Sequence, residues 1–89
     1  MNLPDGYTWR RKCTPRAVWW EELHGPYWSP TLRMFVPLTL GYVAKMNPRD
    51  KFYAYDYTNF RAVGTFYHKT KAKQALVSAI VMSILNEGN

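Results

Sequence analysis

The sequence contains a single cysteine, Cys13, among 89 residues. An intramolecular disulfide therefore cannot form, and the reducing interior of a cell is the expected compartment. The N-terminal segment lacks the apolar stretch of a secretory signal. The longest apolar run, residues 75–85, is interrupted by serines and is too short to span a bilayer. We therefore predict a cytoplasmic protein that does not use a membrane as its partner.

The residue patterns that carry catalysis are also missing. Cys13, His24 and His68 do not have the spacing of zinc ligands. Asp50 falls in a turn and Asp56 near a hairpin, without a second carboxylate placed for acid–base chemistry. No glycine-rich phosphate-binding loop is present. We therefore expect no metal, no cofactor and no enzymatic activity.

Aromatic residues and positive charge are what the sequence has in excess. Phe, Trp and Tyr make up 17% of the chain, and 12 Lys and Arg residues face 6 Asp and Glu residues, for a net charge of +6. A core of this size cannot bury so many rings, and partly exposed rings with polar tips are typical of interfaces. The charge favours an acidic partner, which can be nucleic acid or protein.

The N-terminal half predicts one strand, one helix and a loop. Residues 7–12 alternate as an edge strand. Thr14 and Pro15 are typical of a helix start, so a helix is predicted over residues 15–23 and is ended by Gly25 and Pro26. Residues 26–30 are then expected to form an aromatic loop.

The C-terminal half predicts an antiparallel sheet followed by a long helix. Strands are expected at 32–36, 39–46, 51–57 and 60–66, with a turn at 47–50 and a tight reversal at Thr58 and Asn59. Leu40, Tyr42, Ala44 and Met46 are expected on one face. A helix over 69–86 has a broad apolar stripe. The whole chain, 1–89, is predicted to be one α+β domain, with a small antiparallel sheet of three to five strands, the long helix packed on one face and the short N-terminal helix nearby.

Aromatic side chains are the first candidate site. Alternation along residues 51–57 places three tyrosines on one strand face, with Tyr42 adjacent, where they can stack bases, anchor a protein partner or stabilise neighbouring strands without binding. Of the adjacent pair Trp19 and Trp20, one is expected in the core and the other at the surface. The candidate partner-binding residues are Trp19, Trp20, Tyr27, Trp28, Tyr53, Tyr55 and Tyr57.

Basic side chains are the second candidate site. Lysines at the start of the long helix oppose the helix dipole, which suggests contact with an anion, although they are equally consistent with a solvated surface. A second basic group lies in the first strand and at the predicted helix start. The candidate anion or nucleic-acid contacts are Arg10, Arg11, Lys12, Arg16, His68, Lys69, Lys71 and Lys73.

The segment Lys69-Thr70-Lys71-Ala72-Lys73-Gln74-Ala75, after three strands, resembles the last helix of a double-stranded-RNA-binding domain. The resemblance implies lysine contacts with phosphates across a groove. The chain departs from that family because it lacks the Gly-Pro-x-His loop between the first two strands. Residues 15–20 also do not match the family's first helix.

The segment 40–85 resembles the strand-strand-strand-helix module of short phage and prophage accessory proteins. The shared pattern is Tyr42-Val43-Ala44, then an aromatic strand, then Gly64-Thr65-Phe66 running into an alanine-bearing helix. Such proteins, which include anti-CRISPR proteins and nuclease inhibitors, bind and block host machinery. The resemblance implies a host protein or ribonucleoprotein partner in the cytoplasm of the host cell.

These observations predict a non-catalytic, phage-type binding protein that inhibits or redirects a host nucleic-acid-processing complex by steric occlusion. One alternative is direct binding of RNA or DNA through Lys69, Lys71 and Lys73. Another is a self-associating structural protein, such as a homodimer, which uses the excess apolar width of the long helix.

Overall fold

The computed structural model describes residues 3–87, with side chains as far as residue 83. The elements are β1 (Thr8–Arg11), β2 (Trp19–Ser29), β3 (Met34–Lys45), β4 (Phe52–Asp56), β5 (Arg61–Phe66) and α1 (Lys69–Glu87). The strands form one antiparallel sheet in the order β1-β2-β3-β4-β5, so each strand pairs with its sequence neighbours. The predicted α+β class and the long C-terminal helix are confirmed. The helix is not long and apolar enough to cross a membrane.

Helix α1 packs on one face of the sheet and forms the core there. The fully buried side chains include Leu23, Val43, Leu76 and Ile80. Gly41 allows α1 to approach closely, because a Cβ at this position would lie 2.5 Å from the Tyr55 carbonyl oxygen and 2.9 Å from a methyl group of Leu76. The opposite face of the sheet carries no helix among the described residues.

The predicted helix over residues 15–23 is wrong, because this segment contains a turn and the start of β2. The hydroxyl of Thr14 accepts a hydrogen bond from the Arg16 amide at 3.3 Å, as in a Ser/Thr turn. From Trp19 onward the apolar and polar residues do not alternate, but burial follows one strand face, with Trp19, Leu23 and Gly25 buried at odd-numbered positions. The stabilisation that this segment gains by pairing with β1 and β3 therefore outweighs the preference of Thr14 and Pro15 for a helix start.

The predicted loop at 26–30 and the break at Pro37 are also wrong. Strand β2 continues to Ser29, and β3 is continuous from Met34 to Lys45, so residues 25–38 form a two-stranded arm beyond the sheet. Pro26 pairs with Pro37 in this arm. Neither outer edge of the arm is paired in the described structure, and proline is tolerated at such edges.

A bulge in β3 changes the predicted distribution of side chains between faces. Leu23 pairs with Gly41 but His24 pairs with Thr39, so Leu40 is the extra residue. Leu40 is therefore buried in the core, whereas Tyr42 lies on the opposite face. The expectation that Leu40, Tyr42, Ala44 and Met46 share one face is wrong, since it assumed unbroken alternation.

The predicted reversal at Thr58 and Asn59 is present and is organised by Asp56. The fully buried Asp56 carboxylate accepts hydrogen bonds from the amide and hydroxyl of Thr58 at 2.8 and 2.6 Å. It also accepts bonds from the amide and side chain of Asn59 at 3.3 and 2.7 Å. The Asn59 side-chain oxygen in turn accepts a bond from Ser83 at 3.1 Å, which ties the turn to α1.

Candidate interaction surface

The helix-free face of the sheet carries five large aromatic side chains, which we call the aromatic face. Residues directly opposite each other on neighbouring strands point to the same side. The register pairs Trp20 with Ala44, Ala44 with Tyr53, and Tyr42 with Tyr55. Ring contacts add a further tyrosine from the end of β4. The aromatic face consists of Trp20, Tyr42, Tyr53, Tyr55 and Tyr57.

Tyr42 is the centre of this layer. Its ring stacks on Trp20, with centroids 4.4 Å apart and planes at 11°. The rings of Tyr53, Tyr55 and Tyr57 lie 6.1, 5.8 and 5.5 Å from it. Contacts at these distances are favourable for aromatic pairs. The side chains therefore hold one another in place before any partner binds.

Glu22 supplies a carboxylate beside the rings. It accepts a hydrogen bond from the indole N–H of Trp20 at 3.3 Å and lies 3.2 Å from the Nε2 atom of His24. The Lys12 ammonium is 3.7 Å away. The hydrogen bond to this carboxylate restrains the Trp20 ring. The aromatic face therefore carries one carboxylate, with His24 and Lys12 beside it.

The phenols of Tyr42 and Tyr57 remain protonated at neutral pH. Burial raises the pKa of Tyr42 above 10.0, and neighbouring Tyr53, Tyr57 and Tyr55 raise it further. Burial also raises the pKa of Tyr57, with added contributions from Glu22 and Tyr55. The hydroxyls of Tyr42 and Tyr57 are therefore available as neutral hydrogen-bond donors.

An open groove extends the aromatic face towards the arm. It has a volume of about 730 Å³, and its walls include Arg10, His24, Pro26, Phe35 and Pro37. Beyond it, the ring of Phe35 packs edge-on against that of Trp28 at 5.2 Å. The arm ends in exposed apolar side chains, namely Trp28, Leu32, Met34 and Phe35. Isolated two-stranded ribbons are marginally stable in water, and contiguous exposed apolar surface marks interaction sites.

The structure separates the aromatic residues that the sequence grouped together. Trp19 and Trp20 point to opposite faces: Trp19 is 9% exposed and belongs to the core, as expected for one member of the pair. Tyr53, Tyr55 and Tyr57 do share a face. In the arm, Trp28 continues the helix-free side, whereas alternation places Tyr27 on the helix side.

The basic candidates are separated in the same way. Arg10 pairs with Glu22 and Arg11 with Glu21, so their side chains lie on opposite faces. Lys73 lies 2.6 Å from Glu21 and 4.6 Å from the centroid of the Trp9 ring. Its charge is therefore neutralised on the protein. The remaining basic candidates, Lys12, Arg16, His68, Lys69 and Lys71, are exposed.

Sequence reasoning missed Glu22, Phe35 and Lys45 as site residues. Glu22 was assigned to a helix, although its position two residues from both Trp20 and His24 is the signal of a shared strand face. Phe35 and Trp28 come together only through the arm, which two prolines conceal in the sequence. Lys45 lies at the end of β3 with its ammonium 4.9 Å from the Phe52 ring, a contact between strands that the sequence alone does not show.

Metal chemistry has no support in the described part of the chain, which contains no group of three or more His, Cys, Asp or Glu residues able to hold an ion. No known protein family, curated protein or solved structure matches this chain.

Proposed function

We propose that this protein is a non-catalytic binding protein that docks on a partner protein through the aromatic face and acts by steric occlusion. The observation that carries the proposal is the one-sided packing of α1, which leaves a contiguous layer of one tryptophan and four tyrosines on the other face. Tyrosine and tryptophan dominate the energetics of protein interfaces.

The preformed geometry of the rings supports this proposal. Side chains that are already held by their neighbours lose little conformational freedom on binding, so more of the contact energy appears as affinity. The stack of Trp20 on Tyr42, and the hydrogen bond from Trp20 to Glu22, provide this restraint. The groove and the arm offer further apolar contact area on the same side.

The charge on the aromatic face favours a protein partner over a stacked nucleic acid. The Glu22 carboxylate accepts a hydrogen bond from Trp20 at 3.3 Å and lies opposite Tyr42 in the strand register. This carboxylate offsets the Lys12 ammonium at 3.7 Å, so the ammonium beside these rings is not free to attract a phosphate backbone. A protein can instead satisfy Glu22 and the phenol hydroxyls with matched donors and acceptors.

The resemblance of segment 40–85 to phage accessory proteins supplies the proposed class of target. We propose that the partner belongs to a host nucleic-acid-processing complex in the cytoplasm of the host cell, and that the bound protein inhibits or redirects this complex. No cofactor takes part in such a mechanism.

The test is a stoichiometric complex with a purified host component, measured by light scattering and titration. Trp20→Ala and Tyr55→Ala should each weaken the complex at least about tenfold, since a central aromatic contact contributes about 2 kcal/mol or more. The matched control is Met82→Ala on α1, where Met82 is 57% exposed and lies away from the aromatic face.

The opposite pattern of losses would overturn the proposal. A complex that Met82→Ala abolishes and Tyr55→Ala leaves intact would place the interface on α1. Light scattering of the protein alone tests self-association in the same way. A dimer that Tyr55→Ala dissociates would make a second copy of the chain the partner of the aromatic face.

A further inference from the structure

The topology collects the positive charge at one end of the molecule. In an antiparallel meander, the β1–β2 and β3–β4 connections and the passage from β5 to α1 all leave the same end of the sheet. We call this the basic end. The cations that lie in or next to these connections are Arg11, Lys12, Arg16, Lys45, Arg49, Lys51, Lys69 and Lys71.

The opposite end of the sheet has very little positive charge. It contains the arm and the β4–β5 turn, where the only Lys or Arg residues are Arg33 and Arg61. Three carboxylates lie near the basic end. Asp50 accepts a hydrogen bond from the Asn47 side chain within its own turn, and Glu21 and Glu22 are paired with Lys73 and Lys12. Most of the basic end therefore has no internal counter-charge within the described structure.

Aromatic rings hold several of these cations in place. The Arg11 guanidinium and the Lys69 ammonium lie 5.6 and 5.5 Å from the centroid of the Trp19 ring. The Lys45 ammonium lies 4.9 Å from the Phe52 ring, which packs edge-on against Trp19 at 5.4 Å. Such contacts orient a cation without neutralising its charge. Like charges gathered this way cost folding stability unless an anion offsets them.

We propose that the basic end binds the phosphate backbone of a nucleic acid without reading its sequence. Strands lie about 4.8 Å apart, so the five strand ends present cations over a width of about 19 Å. The evenly spaced phosphates of a nucleic acid can pair with a row of separated cations. Such contacts do not require a pocket of defined shape. An acidic protein would instead need paired pockets and apolar anchors for comparable affinity. The basic end adjoins the aromatic face at Lys12, but Lys45, Lys51 and Lys69 contact other rings, so this function goes beyond partner docking.

The test is the affinity for a short mixed-sequence DNA duplex, and for RNA of the same sequence, between about 50 and 200 mM salt. Each cation that contacts a phosphate adds about 0.9 to the slope of log affinity against log salt. Lys51→Gln/Lys69→Gln should therefore lower the slope by about 1.8 and weaken binding at low salt. The charge-matched control, Arg33→Gln/Arg61→Gln at the opposite end, should leave the slope unchanged.

The proposal is overturned if neither nucleic acid binds at low salt, or if the two double variants change the slope equally. It is also overturned if polyglutamate binds as tightly as the duplex, because the surface would then respond to negative charge of any kind. Lys51→Arg/Lys69→Arg should keep the wild-type slope, and a thermal melt of each variant checks that it is folded. Tyr55→Ala should bind nucleic acid normally, so failure of this inference and failure of partner docking are distinguishable.

Discussion

The indole ring of Trp20 lies flat on the phenol ring of Tyr42, with centroids 4.4 Å apart and planes within 11° of each other. The two residues are on neighbouring strands, and the bulge at Leu40 sets which face Tyr42 occupies. This contact joins Trp20 of β2 to Tyr42 of β3, which in turn contacts Tyr53 and Tyr55 of β4. The interaction energy between the two rings therefore measures how firmly the side chains of the aromatic face are held before a partner binds.

A double-mutant cycle should detect coupling between these two rings. We expect Trp20→Leu and Tyr42→Leu to be non-additive by about 0.5–1.5 kcal/mol in the free energy of unfolding, the usual range for aromatic pairs. Urea denaturation of the two single variants and the double variant gives this value. Trp20 paired with Met82 is the control cycle, because Met82 is 57% exposed on α1, on the other side of the sheet, and this cycle should be close to additive. Full additivity for Trp20 and Tyr42 would contradict a preformed stack.

Replacement of the buried Asp56 should destabilise the protein strongly. Asp56→Ala leaves four donors on Thr58 and Asn59 without their acceptor, and a buried unsatisfied donor costs about 1–3 kcal/mol. We expect a total loss of about 3–5 kcal/mol, since turn residues regain some bonds to water. Asp56→Asn keeps one side-chain oxygen and should lose less.

Asp50→Ala is the matched control for this measurement. Asp50 is also a turn aspartate, but it is exposed and accepts one side-chain bond, from Asn47 at 3.0 Å. Its loss should change the free energy of unfolding by no more than about 0.5 kcal/mol. Equal effects of Asp50→Ala and Asp56→Ala would show that the network around Asp56 does not stabilise the fold.

Stability should fall at alkaline pH in a way that depends on Tyr42 and Tyr57. Burial raises the pKa of both groups above the unfolded value of 10.0, so above that pH the unfolded chain releases its protons first. The stabilisation is complete below pH 10 and is lost as the pH rises towards the folded-state pKa values. Urea titrations at several pH values should show a shallower decline for Tyr42→Phe/Tyr57→Phe. Identical profiles for this variant and the wild type would contradict the assignment.

The C-terminal half of the fold could be predicted because its signals are local. Alternation along β4 placed Tyr53, Tyr55 and Tyr57 on one face, and the apolar stripe after Lys69 gave the helix. These patterns depend on neighbours within a few residues. They therefore hold whichever element packs against them.

The N-terminal half could not be predicted because its outcome depends on distant pairing. Thr14 and Pro15 form a helix start or a turn equally well, and the strand pairings of Trp19–His24 with residues 39–45 decide between the two. The bulge at Leu40 has no marker such as glycine at its own position. The grouping of cations at the basic end also required the order of all five strands.

The molecule is 43 Å long and 24 Å across. This elongated shape affects the rate of dissociation from a target that contains both protein and nucleic acid. The arm and the basic end are at opposite ends of β2 and β3, so under the two proposals a complex that carries its own nucleic acid would contact both at once. After the first contact forms, the second is intramolecular and its effective concentration reaches the millimolar range. Two individually weak attachments would then give slow dissociation, and a target stripped of its nucleic acid would be released much faster.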